Sequence, residues 1–177
     1  MFNNKILLNL LLVTFSIGVI LFFRVIPHPP NFTPVIALSL YLPIFFGIWS
    51  LPFCILGFAI TDYFIGFHSL LIWTWSGLAL VGLLSLLAKG RVSRILLSLT
   101  GALIFFITSN FGVWLTSSFY THDFQGLINC YILAIPFFTN TLISTMLFAG
   151  LFEFLFSSKL LFVKSYLRKN NQHNIFF

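Results

Sequence analysis

Acidic residues are almost missing from this chain: three Asp and Glu stand against nine Lys and Arg in 177 residues. Charged side chains of both signs reach only 7%, where a soluble domain uses about 25%, so a soluble globular fold is excluded. No GxxxxGK[ST] loop occurs, which removes ATP hydrolysis through a P-loop. HExxH, GxSxG and paired carboxylates at helical spacing are also missing, so an intramembrane protease, lipase or zinc hydrolase has no residues to work with. Nor is there the train of intramembrane acids and bases, or the inverted repeat, of proton-coupled carriers. Cysteine is limited to Cys54 and Cys130, too far apart for a CxxC motif and too few for a disulfide framework. Both read as small core residues. No cofactor and no enzymatic activity is expected.

What fills the chain is apolar: 59% hydrophobic and 19% aromatic residues, with a mean hydropathy of +1.06. That is the composition of a polytopic membrane protein. A helix needs about 20 apolar residues to cross a hydrocarbon core of about 30 Å. Candidate spans are Ile6 to Phe23, Val35 to Trp49, Pro52 to Phe67, Leu70 to Ala88, Ile95 to Leu115 and Leu127 to Phe156. The second and third would make one overlong helix, interrupted by Pro43 and by Ser50-Leu51-Pro52, so two spans are read there. Pro136 is expected to kink the last run or to separate a short segment from it. The first run resembles a signal peptide, but Arg-Val-Ile-Pro-His-Pro-Pro follows it in place of a small-residue cleavage site, so it is read as a retained span. The result is an all-α membrane protein: one transmembrane domain over residues 1–177 with six transmembrane helices and a basic tail at 157–177.

The charge of +6 is a statement about topology rather than nucleic-acid binding, because the cations cluster. With both termini in the cytoplasm, Lys5, the "KGRVSR" loop (Lys89, Arg91, Arg94) and the tail (Lys159, Lys164, Arg168, Lys169) are all inside, and only Arg24 is outside. A five-span arrangement with the N-terminus outside satisfies the charge rule equally, and span length favours six. A bacterial inner membrane is the expected location.

Six spans concentrate the unusual polar residues in the outer half: Arg24, His28, Asn31, Asp62, His68, Asn110, Tyr120, His122, Asp123, Asn129 and Tyr131, with Asn140 nearer the middle. Glu153, in the inner half, reads as an ordinary interfacial charge near Lys159. Asp62 is the sharpest signal, since an acid within the hydrocarbon costs about 2.5–3.5 kcal/mol on insertion scales unless paired. Its reachable partners are Arg24, His28, His68 and Asn110. It is either a structural lock or a ligand-binding or proton-accepting group in an outward-facing cavity. His68 is either an interface residue or a ligand. His28, His68, His122 and Asp123 come from separate loops without the close spacing of a metal site. Trp49, Trp73, Trp75, Trp114, Tyr120 and Tyr131 fit aromatic belts, and some fit a pocket wall. Asn110 and Trp114 share a helix face. Thr139, Asn140 and Thr141 are expected to satisfy the carbonyl freed by Pro136 or to bond a neighbouring helix.

"RVIPHPPNFTPVIAL", "DYFIGFH", "SNFGVW" and "GLINCYILAIPFFTNTL", in that order and across nearly the whole chain, resemble a family of small bacterial integral-membrane proteins of unknown function. That family looks related to the substrate-binding S components of energy-coupling factor (ECF) transporters. The resemblance implies a six-helix S-component-like bundle around an outward-facing, vitamin-sized pocket capped by the outer loops. It also implies partners: a small organic nutrient, the lipid bilayer, and a coupling membrane subunit with two ATPases. The chain departs from the family's glycine-aspartate after the Asn-Thr pair, carrying Ile143-Ser144 beyond Asn140-Thr141. Of the small pairs that dock S components, only Thr14 and Gly18 stand on the first span. The expected function is binding or uptake of a small organic nutrient through Arg24, His28, Asn31, Asp62, His68, Asn110, Trp114 and Asn140. The alternative is a structural or accessory membrane protein whose outer polar cluster only locks the loops.

Overall fold

The computed structural model describes residues 4–173, with side chains at 11 and over 14–155. The side chains of Lys5, Lys159, Lys164, Arg168 and Lys169, which carry much of the charge reading, lie outside the described residues. The chain forms six α-helices: α1 (Asn4–Val25), α2 (Val35–Phe46), α3 (Leu51–Ile65), α4 (Leu71–Leu83), α5 (Arg91–Thr116) and α6 (Phe124–His173). Short 3-10 turns, Ile48–Ser50 and Leu84–Leu87, precede α3 and follow α4. No strand occurs among the described residues. Among the described residues, three helical stretches are long and apolar enough to cross a membrane, Ile48–Ile65, Arg91–Thr116 and Phe124–Leu155. Phe15, Phe22, Phe64, Ile72, Phe124 and Phe154 each expose more than half of their surface. Water would penalise that surface and acyl chains suit it, as expected of a membrane protein.

The core is built around α2. Its residues from Val35 through Pro43 are all buried, and it touches each of the other five helices. A helix apolar on every side has no solvent face and must be wrapped; α2 meets that condition with only Ser39 and Tyr41 as polar groups. Each finds a partner, Ser39 Oγ donating to the Leu78 carbonyl on α4 at 2.6 Å and Tyr41 reaching α6.

The separation of α2 from α3 agrees with the proline reading, though the turn comes earlier than Ser50-Leu51-Pro52. Gly47, at φ +94°, ends α2 with its N–H on the Pro43 carbonyl, a backbone conformation glycine adopts without steric cost. Pro52 then lies in the first turn of α3, where a missing N–H loses no helical bond. At Pro136, where a kink or a separate segment was expected, no separate segment forms, and α6 runs through it for 50 residues, about 75 Å. Nor do the following hydroxyls serve the freed Ile132 carbonyl. Thr139 and Thr141 donate to Ile135 and Phe137 instead.

Short connections make successive helices alternate in direction. One end of the bundle therefore gathers residues 26–34, 66–70 and 117–123, and is called the loop end here. The other end carries 47–50 and 88–90. At the loop end Thr116 lies 3.4 Å from Ser69 across the α5 terminus, and Asp123 caps α6 by accepting the Gly126 N–H at 2.7 Å. That bond and one from the Thr121 hydroxyl hold the Asp123 carboxyl below its ordinary range.

Candidate functional site

α1 and α3 run parallel in close contact because Gly57 has no side chain: a Cβ there would lie 3.1 Å from Ile17 Cγ2. Two turns further on, this approach brings Arg24 over the Phe58 ring at 3.8 Å. Its Nη1 donates to the Phe58 carbonyl at 3.4 Å, and its Nη2 lies 2.7 Å from Asp62 Oδ1. Asp62 is fully buried. Its Oδ2 accepts the Trp75 indole N–H at 2.7 Å, while Oδ1 accepts no aligned hydrogen bond. The short Arg24 contact is thus a charge contact set off the donor direction. His68 Nε2 stands 3.8 Å from the same oxygen. Of the four partners open to Asp62 in the sequence, Arg24 and His68 are the ones found. Trp75 was not foreseen, although a half-buried indole N–H needs an acceptor and its position 13 residues from Asp62 allows α4 to fold back with it.

Above this pair lies the segment between α1 and α2. Its prolines fix φ and restrict the residues before them, and Asn31 takes the left-handed conformation at φ +62°, which asparagine tolerates better than most residues. A bond from α6 holds the segment down, Asn140 Nδ2 to the Pro30 carbonyl at 3.1 Å, while the Ser144 hydroxyl, which donates to Thr141 at 3.0 Å, lies 3.5 Å from the Asn31 carbonyl. Asn140 therefore serves this loop rather than a neighbouring helix.

Under the loop is a cavity of ≈ 310 Å³ bordered by Arg24, His28, Asn31 and His68, with Phe58 and Phe105 among its apolar walls. A second, of ≈ 200 Å³, adjoins it through shared Asn31, Thr74, Phe105 and Thr141 and contains Asn110 in its lining. Five of the eight expected site residues thus border these two neighbouring cavities, and Asp62 lies directly behind Arg24. Trp114 and Asn140 do not line either cavity. Trp114 donates to the Thr121 carbonyl at 3.0 Å and packs edge-on to His122, so it braces the 117–123 loop. Asn110 does not reach Asp62; its Nδ2 donates to the Phe106 carbonyl of its own helix at 2.8 Å. Among the described residues, no three His, Cys, Asp or Glu side chains converge as metal ligands would.

The opposite end corrects the reading of Glu153 as an interfacial charge. Glu153 is 1% exposed and forms a fork with Arg94, Nε to Oε1 at 2.5 Å and Nη2 to Oε2 at 2.8 Å. The Tyr41 hydroxyl donates to Oε1 at 3.0 Å, and Arg91 stands 3.5 Å from Oε2. Three helices, α2, α5 and α6, are pinned at one point. None of the cavities described here includes these residues.

A third cavity, ≈ 500 Å³, opens sideways between α3 and α4 and is lined by Ile48, Leu51, Pro52, Ile55, Leu56, Ala59 and Trp75. Its apolar walls face where lipid would lie.

Residues 4–166 match the model of a family described as Family of unknown function (DUF6580), and the chain belongs to that family. No curated protein and no solved structure matches it.

Proposed function

We propose that this DUF6580 chain is the substrate-binding component of an uptake system for a small organic nutrient, S-component-like, with six spans and its loop end outside the cytoplasmic membrane. The observation that carries the reading is the ≈ 310 Å³ cavity under the proline-rich loop, bordered by Arg24, His28, Asn31 and His68. Its size falls in the range of about 300–1,000 Å³ in which small molecules are held, and its composition is a few polar groups on an apolar wall. The short length of α2 supports the same reading. Twelve residues cover about 18 Å, so a six-span arrangement leaves non-helical backbone of the 26–34 segment at hydrocarbon depth. Such backbone persists only where it is buried in protein or lines a wet cavity.

The resemblance to S components adds a coupling membrane subunit and two ATPases as partners. No nucleic acid and no reaction on the nutrient belong to this proposal. Purifying the protein in detergent and identifying co-purifying small molecules by mass spectrometry tests it, with Asn110→Ala as the comparison. A small molecule retained by the native chain and reduced in the variant is expected. Preparations free of any small molecule, with a variant that only lowers the melting temperature, would overturn the reading. Orientation is checked with single cysteines at Ser69 and Gly90, since Cys54 and Cys130 are both buried. Ser69→Cys should react only from outside and Gly90→Cys only from the cytoplasm.

The second reading, a structural membrane protein with locked loops, draws on the bond from Asn140 to the Pro30 carbonyl. That bond is compatible with a lid as well, and the cavity beneath it favours the binding reading.

A further inference from the structure

Resting on the binding role just proposed, we infer that the ligand is an aromatic organic anion, with its carboxylate or phosphate between Arg24 and His28 and its ring in the adjoining chamber. The charge balance of the lining points this way. Arg24, His28 and His68 border the first cavity and no acid does, because Asp62 is fully buried behind the guanidinium. A guanidinium has five N–H donors. In the structure Arg24 makes a long hydrogen bond to Phe58 and an ion pair with Asp62 at 2.7 Å, which leaves part of its fork for an oxyanion, the group whose geometry that planar shape matches.

The two histidines differ in a way that assigns their parts. His68 Nδ1 accepts the Leu70 N–H at 3.2 Å, which places its proton on Nε2, facing Asp62. With that N–H turned to Asp62, His68 belongs with the Arg24–Asp62 pair. His28 is the reverse. Its Nδ1 pairs with the Pro29 carbonyl at 2.8 Å and must carry the proton, leaving Nε2 as the ring atom available to the cavity that His28 borders. A cationic ligand would meet repulsion from the Arg24 guanidinium.

The adjoining chamber supplies the rest of the class. Phe105, Phe106, Phe137 and Phe138 wall it, Phe106 and Phe138 at a centroid distance of 4.5 Å, and it contains no charged side chain. Aromatic walls favour a ring by stacked or edge-on contact. With Asn110 Nδ2 committed to the Phe106 carbonyl, its Oδ1 is the acceptor available to an N–H or amino group on that ring.

The test uses the full chain in detergent and a panel sharing one ring: 4-aminobenzoate and 4-aminophenyl phosphate as anions, 4-aminobenzamide as the neutral form, 4-aminobenzylamine as the cation. Thermal stabilisation by at least one anion is expected, with binding about tenfold or more weaker for the neutral and cationic forms. The two anions separate carboxylate from phosphate recognition. Arg24→Gln should abolish the preference. Because it also strips Asp62 of its counter-ion, Arg24→Lys, which keeps the charge and loses the fork, and His28→Gln, remote from Asp62, are measured beside it. Both should fold and bind the anion more weakly. Equal or better binding of the neutral or cationic form, or unchanged anion binding in all three variants, overturns the inference while leaving the binding role intact. Absence of stabilisation by every member also overturns it, and the binding role then stands or falls on the co-purified molecules alone.

Discussion

At the loop end an arginine, a buried aspartate and a tryptophan meet; at the opposite end an arginine, a buried glutamate and a tyrosine do the same. Each arginine also lies over a phenylalanine, Arg24 on Phe58 at 3.8 Å and Arg94 near Phe45 at 5.6 Å. The difference is in completion. Glu153 has both oxygens in aligned bonds from Arg94, with Tyr41 adding a third. Asp62 has one aligned bond, from Trp75, and an oxygen that the guanidinium approaches off its donor axis. The first arrangement is closed and pins three helices. The second leaves arginine donors unused beside a cavity. Composition alone does not separate a lock from a binding site; hydrogen-bond geometry does.

The largest effect expected from breaking this contrast is at Glu153. Glu153→Ala leaves the Arg94 charge and the Tyr41 hydroxyl without their acceptor, and losing one partner of a buried pair costs about 3–5 kcal/mol. Melting in detergent reads it, and an apolar pair, Glu153→Leu with Arg94→Met, should recover much of the loss. A Glu153→Ala chain that melts like the native one would remove the opposite end as a lock.

Asp62→Asn should cost less, about 1–2 kcal/mol, because the amide oxygen still accepts from Trp75 and the substitution keeps the side chain's volume. A loss as large as at Glu153 would erase the distinction between the two ends. Smaller again, Asn140→Ala removes one hydrogen bond to the loop, about 0.5–1.5 kcal/mol. Its signature is faster amide exchange confined to residues 26–34, and uniform exchange along the chain would argue against a tether. The smallest effect belongs to Arg91→Ala. Its side chain is 60% exposed at 3.5 Å from Glu153, and an exposed pair contributes at most about 1 kcal/mol. Its melting temperature should match the native value, which sharpens the assignment of the lock to Arg94.

Much of the helix plan was legible because most of the helices are hydrophobic runs bounded by proline, glycine or charge, as at Gly47, Gly66 and Lys89. The loop-end cluster was partly legible for a similar reason: Asp62 is conspicuous in an apolar run, and Arg24 is the cation nearest to its depth. Glu153 was misread because its partners lie 59 and 112 residues away on other helices, while Lys159 is close in the sequence. A signal was present, in that Glu153 and Tyr41 both stand in apolar helices and each requires a partner there. Trp114 lies apart from the two cavities and bonds Thr121, because a shared helix face fixes direction along α5 but not the loop that folds over it.

The sequence by itself determined that this is an all-helical chain with apolar helices fit for a membrane, and that Asp62 must be paired, since these follow from local hydropathy and the cost of burying charge. Only the tertiary structure decided that α2 is the wrapped centre, that Trp75 and Tyr41 complete the two acids, and that the loop between α1 and α2 is bonded over a cavity. Those outcomes depend on distances between helices far apart in the chain, which no local pattern encodes.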